Sequence, residues 1–102
     1  MKTLTEKGIL KHAQRFVDSI DHALYELDGE EKEIGIFKKQ VEGKDTIKIY
    51  VFFDDGIVGD VGNVKLVDSD GDIVAESIKH YVKPSEKGLY IAFKYTYIEE
   101  EV

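Results

Sequence analysis

Apolar residues recur along the first part of the chain at three- and four-residue steps: Ile9, Ala13, Phe16, Val17, Ile20, Leu24 and Leu27. That spacing stacks them on one stripe of an α-helix. Lys11, Arg15, Asp18, His22, Tyr25 and Glu26 fall on the other side. Thr3 followed by Glu6 fits a capping box, in which each side chain bonds the other's free backbone N–H, and Thr5 is an alternative cap. Asp28-Gly29 supplies a stop, because glycine adopts the left-handed conformation that closes helices. These signals predict one amphipathic helix over about residues 5–28.

Beyond Gly29 the period shortens from 3.6 to 2. Segment 32–41 reads as a strand of mixed alternation, and Glu42-Gly43-Lys44-Asp45 as a hairpin turn. Ile47, Ile49, Val51 and Phe53 alternate cleanly with Lys48, Tyr50, Phe52 and Asp54, the strongest strand signal in the chain. Segment 54–63, with Gly56, Gly59 and Gly62, reads as a loop or irregular edge. Segments 63–68 and 72–82 flank Ser69-Asp70-Gly71, a turn in which glycine can supply positive φ. Pro84 sits in a turn before a last strand that sets Leu89, Ile91, Phe93, Tyr95 and Tyr97 against Tyr90, Ala92, Lys94, Thr96 and Ile98. Residues 99–102 read as a frayed acidic end. The expectation is an α+β chain in a single domain spanning 1–102. One N-terminal amphipathic helix packs on an antiparallel meander of about five strands, the sheet running over about residues 32–98.

Composition narrows the setting. With 102 residues, 42% hydrophobic and 34% charged, the chain has an ordinary globular balance and room for one core. It has no cysteine, which removes disulfides, thiolate nucleophiles and zinc–thiolate sites. No apolar leader and no apolar run of membrane-spanning length is visible, so a cytoplasmic location is expected and no membrane partner. A net charge of −7 opposes binding to nucleic acid.

Candidate chemistry is sparse. Asp68, Asp70 and Asp72 are weak candidates for a metal site. An EF-hand loop starting at Asp68 would need Gly at its sixth place and Glu at its twelfth, where this chain has Ile73 and Lys79. Asp54, Asp55 and Asp60 form a second acidic group, placed at the opposite end of a plain meander. Asp18, His22 and Glu26 stand at four-residue steps on the expected helix, a row that also suits a solvated face. The glycines at 56, 59 and 62 match no phosphate loop, and no serine sits in a nucleophile elbow. No catalytic residue, no cofactor and no enzymatic activity is therefore expected.

The most informative pattern is aromatic. If Ile47, Ile49, Val51 and Phe53 turn inward with Leu89, Ile91 and Phe93, the opposite face carries Lys48, Tyr50, Phe52, Tyr90, Lys94 and Ile98. Phe37 and either Ile78 or Tyr81 join them, depending on register. A solvated sheet face alternates to polar residues, and this one does not. It can curl inward, self-associate, or bind another protein. The expected function is a small non-enzymatic interaction module, an adaptor, inhibitor or accessory subunit, that binds through Tyr50, Phe52, Tyr90, Lys48 and Lys94 to another protein or to itself. The alternatives are a small-ligand-binding domain with a pocket between helix and sheet, and a minor structural component of a larger assembly.

Overall fold

The computed structural model describes residues 4–98. One helix, α1 (Glu6–Ser19), precedes seven strands: β1 (Ile20–Leu27), β2 (Glu30–Gly35), β3 (Lys38–Glu42), β4 (Thr46–Phe53), β5 (Gly59–Asp68), β6 (Ile73–Lys83) and β7 (Leu89–Thr96). The strands are antiparallel and form two sheets, of order β2-β1-β5-β6 and β3-β4-β7, rather than one five-stranded meander. The chain is α+β, as expected from the sequence, but it alternates between sheets, one hairpin at a time.

The helix begins where Thr5 caps it. The Thr5 hydroxyl accepts from the Gly8 backbone N–H at 3.0 Å, satisfying one of the free donors of the first turn. Thr3, the other candidate cap, and the acidic stretch 99–102 lie outside the described residues. The helix ends at Ser19, so the expectation of a helix to residue 28 is corrected for residues 20–27. Their spacing fits both periods: Ile20, Leu24 and Leu27 at helical steps, Ala23, Tyr25 and Leu27 at strand steps. The strand prevails because Ala23 and Tyr25 are buried against the other sheet. Asp28-Gly29 is then a two-residue hairpin turn and not a helix stop. Leu27 pairs with Glu30, and Asp28 (φ 52) and Gly29 (φ 87) are both left-handed, the geometry for which Asp-Gly is suited.

Segment 32–41 is likewise two strands in different sheets. β2 stays beside β1, the chain crosses at Ile36-Phe37, and β3 pairs with β4. The turn at residues 43–45 and the turn around Ser69-Asp70-Gly71 stand where the sequence places them. The glycine-rich loop is shorter than expected, because β5 starts at Gly59 and takes Gly59 and Gly62 into the sheet. At Gly62 a methyl group would strike the His80 ring on the neighbouring strand.

The inner face of β4 is as read from its alternation: Ile47, Ile49, Val51 and Phe53 are buried, with Ile91 and Phe93 of β7. What covers them is different. Ile49, Val51, Phe53, Ile91 and Phe93 pack on Ile20, Ala23, Tyr25, Val61, Val64 and Leu66 of the second sheet. The Tyr25 and Phe53 rings meet edge to face at 4.9 Å across that interface. The helix covers only one end, where Ala13 and Val17 pack on Ile47, with Phe16, Val41 and Tyr97 alongside. No helix among the described residues is long and apolar enough to cross a membrane.

Candidate functional site

The five residues expected to bind a partner share the outer face of the three-stranded sheet. On β4 the outward positions are Thr46, Lys48, Tyr50 and Phe52, alternating with buried Ile47, Ile49, Val51 and Phe53. The register sets Lys48 opposite Lys94, Tyr50 opposite Ala92 and Phe52 opposite Tyr90. β3 adds Lys38 opposite Tyr50 and Gln40 opposite Lys48. Even spacing in an unbroken antiparallel register brings all of these to one surface.

At one end of that face three rings touch. Phe52 and Tyr90 lie with centroids 4.6 Å apart, and Phe37 closes the triangle at 5.4 Å from each. The Phe37 backbone N–H donates to the Tyr50 carbonyl at 2.9 Å, which holds the ring over the end of the sheet. The cluster is packed but not covered: Phe37 is 56% exposed and Tyr90 58%. Of the residues expected to join by register, Phe37 does. Ile78 and Tyr81 do not, because they belong to β6 in the other sheet.

The lysines form the other end of the face. Lys48 and Lys94 stand directly opposite each other, a like-charge pairing that alone is unfavourable. Glu42 relieves it, with its carboxylate 2.6 Å from the Lys48 ammonium. The hydrogen bond to Glu42, with its charge, holds Lys48 above the ordinary lysine range. The same bond, helped by the nearby Lys94 charge, holds Glu42 below the usual carboxylate range. Lys38 follows Phe37 and is exposed at the ring end, and Lys94 is exposed at the lysine end.

The acidic candidates resolve into turn chemistry. The carboxylates of Asp68, Asp70 and Asp72 have ligand atoms within 4.8 Å of one another. Asp68 Oδ1 already accepts from the backbone N–H groups of Asp70 at 3.0 Å and Asp72 at 2.9 Å, which is how the β5–β6 turn is held. Asp60 follows Gly59 at the start of β5 and Asp68 closes it, so Asp60 and Asp68 lie at opposite ends of one strand. Asp60 sits 3.2 Å from His80 Nδ1 instead, and Asp54 accepts from the Gly56 N–H.

The row Asp18, His22, Glu26 does not exist as a helix face. Asp18 lies in the last turn of the helix, while His22 and Glu26 are on β1. His22 lies between Asp21 (2.7 Å) and Glu33 (3.2 Å), and Glu26 accepts from the Asn63 side-chain amide.

Two concavities bear on the expected sites. A hollow of about 240 Å³ between α1 and the end of the chain is lined by Leu4, Ile9, His12, Tyr97 and Ile98. It falls below the roughly 300–1,000 Å³ of small-molecule sites. A groove of about 310 Å³ runs between β6 and β7. Sequence reasoning missed it, because β6 and β7 are consecutive strands of different sheets and only the sandwich sets their edges side by side.

The fold is an α+β arrangement of two antiparallel sheets with a capping helix and an exposed aromatic face. The chain matches no family model, and comparison with curated proteins and with solved structures finds no match either.

Proposed function

We propose that this protein is a non-enzymatic binding module that holds another protein on the outer face of its three-stranded sheet. The observation that supports this is the Phe37–Phe52–Tyr90 cluster, three rings packed together yet open to solvent. Aromatic side chains are enriched at interfaces because they bury large area at low entropic cost and keep a polar handle. Here Tyr90 supplies the handle, and Lys38 and Lys94 supply a cationic rim. The partner that suits this face brings an apolar anchor for the rings and acidic groups for the rim.

The test is capture on immobilised protein, comparing wild type with a Phe37→Ser/Phe52→Ser variant whose far-UV circular dichroism is unchanged. We expect a partner retained by wild type and lost from the variant. Equal capture by both refutes the assignment of this face.

A further inference from the structure

We infer that the free edge of β7 is a self-pairing edge, along which two copies join their three-stranded sheets into one continuous six-stranded sheet. A free strand edge presents unpaired N–H and C=O groups that template another strand, and proteins ordinarily guard such edges with charge, bulges or short length. The sandwich has four edges. β2 is guarded by Glu30, Glu31, Lys32 and Glu33, and β3 is short and begins with Lys38-Lys39. β6 shifts register twice against β5, between the partners of Gly62 and Val64 and between those of Leu66 and Val67. β7 has the lightest of these guards. It runs Leu89–Thr96 in unbroken register with β4, carries Lys94 as its one charge, and is otherwise Leu, Tyr, Ile, Ala, Phe, Tyr and Thr.

Two further observations point to a strand as the occupant. The groove between β6 and β7 is lined by every residue from Tyr90 to Tyr95. Successive side chains of a strand point to opposite faces, so six consecutive residues can line one groove only along the backbone edge. Within the core formed between the sheets, Ile91 and Phe93 are the members that keep the most exposure, while Ile49, Val51 and Phe53 of the adjoining strand keep none. The core cover is thinnest along this edge, by a small margin over Tyr25 at 5%.

The second copy fits because β7 is complementary to itself when run antiparallel about Ala92. Directly opposed residues must share a face, and this register meets that condition throughout. Tyr90 meets the other copy's Lys94, Ile91 meets its Phe93, Leu89 meets its Tyr95, and the two small Ala92 side chains meet on the axis. Each ammonium faces a ring and no like charges are opposed. Shifting the axis to Lys94 would set two ammonium groups against each other.

The test is light scattering on a size-exclusion column from low to high micromolar protein at about 0.15 M salt, where the −7 charge of each copy is screened beyond about 8 Å. Wild type is expected to rise from 11.6 kDa toward twice that mass. Ala92→Lys, at an exposed position, should remain a monomer throughout with unchanged circular dichroism. The chain has no cysteine, so Ala92→Cys should crosslink into a dimer with a short bis-maleimide. Thr96→Cys should not, because its two thiols would lie about 26 Å apart, eight residues at about 3.3 Å each. A wild type that stays monomeric at the highest concentration overturns the inference. So does a dimer that Ala92→Lys leaves intact, or one that Ala92→Cys fails to crosslink. Phe37 and Phe52 touch Tyr90 through their rings but neither belongs to the free edge of β7, so the Phe37→Ser/Phe52→Ser variant should still dimerise whether or not it retains a partner, whereas self-association through the aromatic face would be lost with the rings.

Discussion

Tyr25 separates the two-sheet architecture from a long N-terminal helix. On a helix running to residue 28 it would face solvent, opposite the apolar stripe, and its truncation would be nearly silent. In the structure it is 5% exposed and its ring meets Phe53 edge to face at 4.9 Å across the sheet interface. Truncating a buried aromatic residue to alanine costs about 3–5 kcal/mol, through lost transfer energy and the cavity left behind. Against a total stability of about 5–15 kcal/mol that is a large fraction. With a urea slope of about 2 kcal/mol/M, a loss of about 3 kcal/mol moves the unfolding midpoint of Tyr25→Ala down by about 1.5 M. Phe53→Ala should cost a similar amount. The double variant should cost less than the sum by about 0.5–1.5 kcal/mol, the coupling of an aromatic pair beyond its area. Tyr25→Phe keeps the ring and should stay near wild type at neutral pH. Urea unfolding followed by circular dichroism reads all four. A Tyr25→Ala midpoint corresponding to less than about 0.5 kcal/mol, the size of a surface substitution, would refute the packing of β1 against β4.

The remaining expectations follow from particular groups. Burial, with a smaller contribution from the Asp54 charge, raises the Tyr25 phenol above its ordinary pKa of 10.0. The folded state therefore holds that proton more tightly than the unfolded chain, and stability falls as pH rises above the unfolded value. Tyr25→Phe should lessen this alkaline loss without abolishing it, because burial raises Tyr95 as well; melting temperatures between pH 8 and pH 11 measure the difference, and identical profiles count against the burial of the phenol. Asp68→Ala removes the acceptor for two backbone N–H groups and should cost about 1–2 kcal/mol, whereas exposed Asp70→Ala should stay within about 0.5 kcal/mol. Equal effects in denaturant unfolding would contradict the turn geometry.

The helix start, the turns at residues 43–45 and around Gly71, and the alternation of β4 and β7, with Lys48, Tyr50 and Phe52 on one side of β4 and Tyr90 and Lys94 on one side of β7, were legible in local pattern. Each depends on neighbours a few residues away: a cap reaching one turn ahead, a glycine at positive φ, a period of two. Local pattern could not decide the state of residues 20–27, where helical and strand spacing both hold until Phe53 is placed against Tyr25. Nor could it divide the segment read as one strand over 32–41 into β2 and β3, because Glu30–Glu33 has no apolar face and β2 is set by its backbone pairing with β1. The grouping of the strands into two sheets, the closing of the Phe37–Phe52–Tyr90 triangle and the alignment of the β6 and β7 edges were set by tertiary structure. By itself the sequence determined the antiparallel α+β class and which side chains of β4 and β7 face inward, because alternation reports burial directly. The structure alone decided what those side chains are buried against, because pairing between distant strands depends on registers that no short stretch of sequence contains.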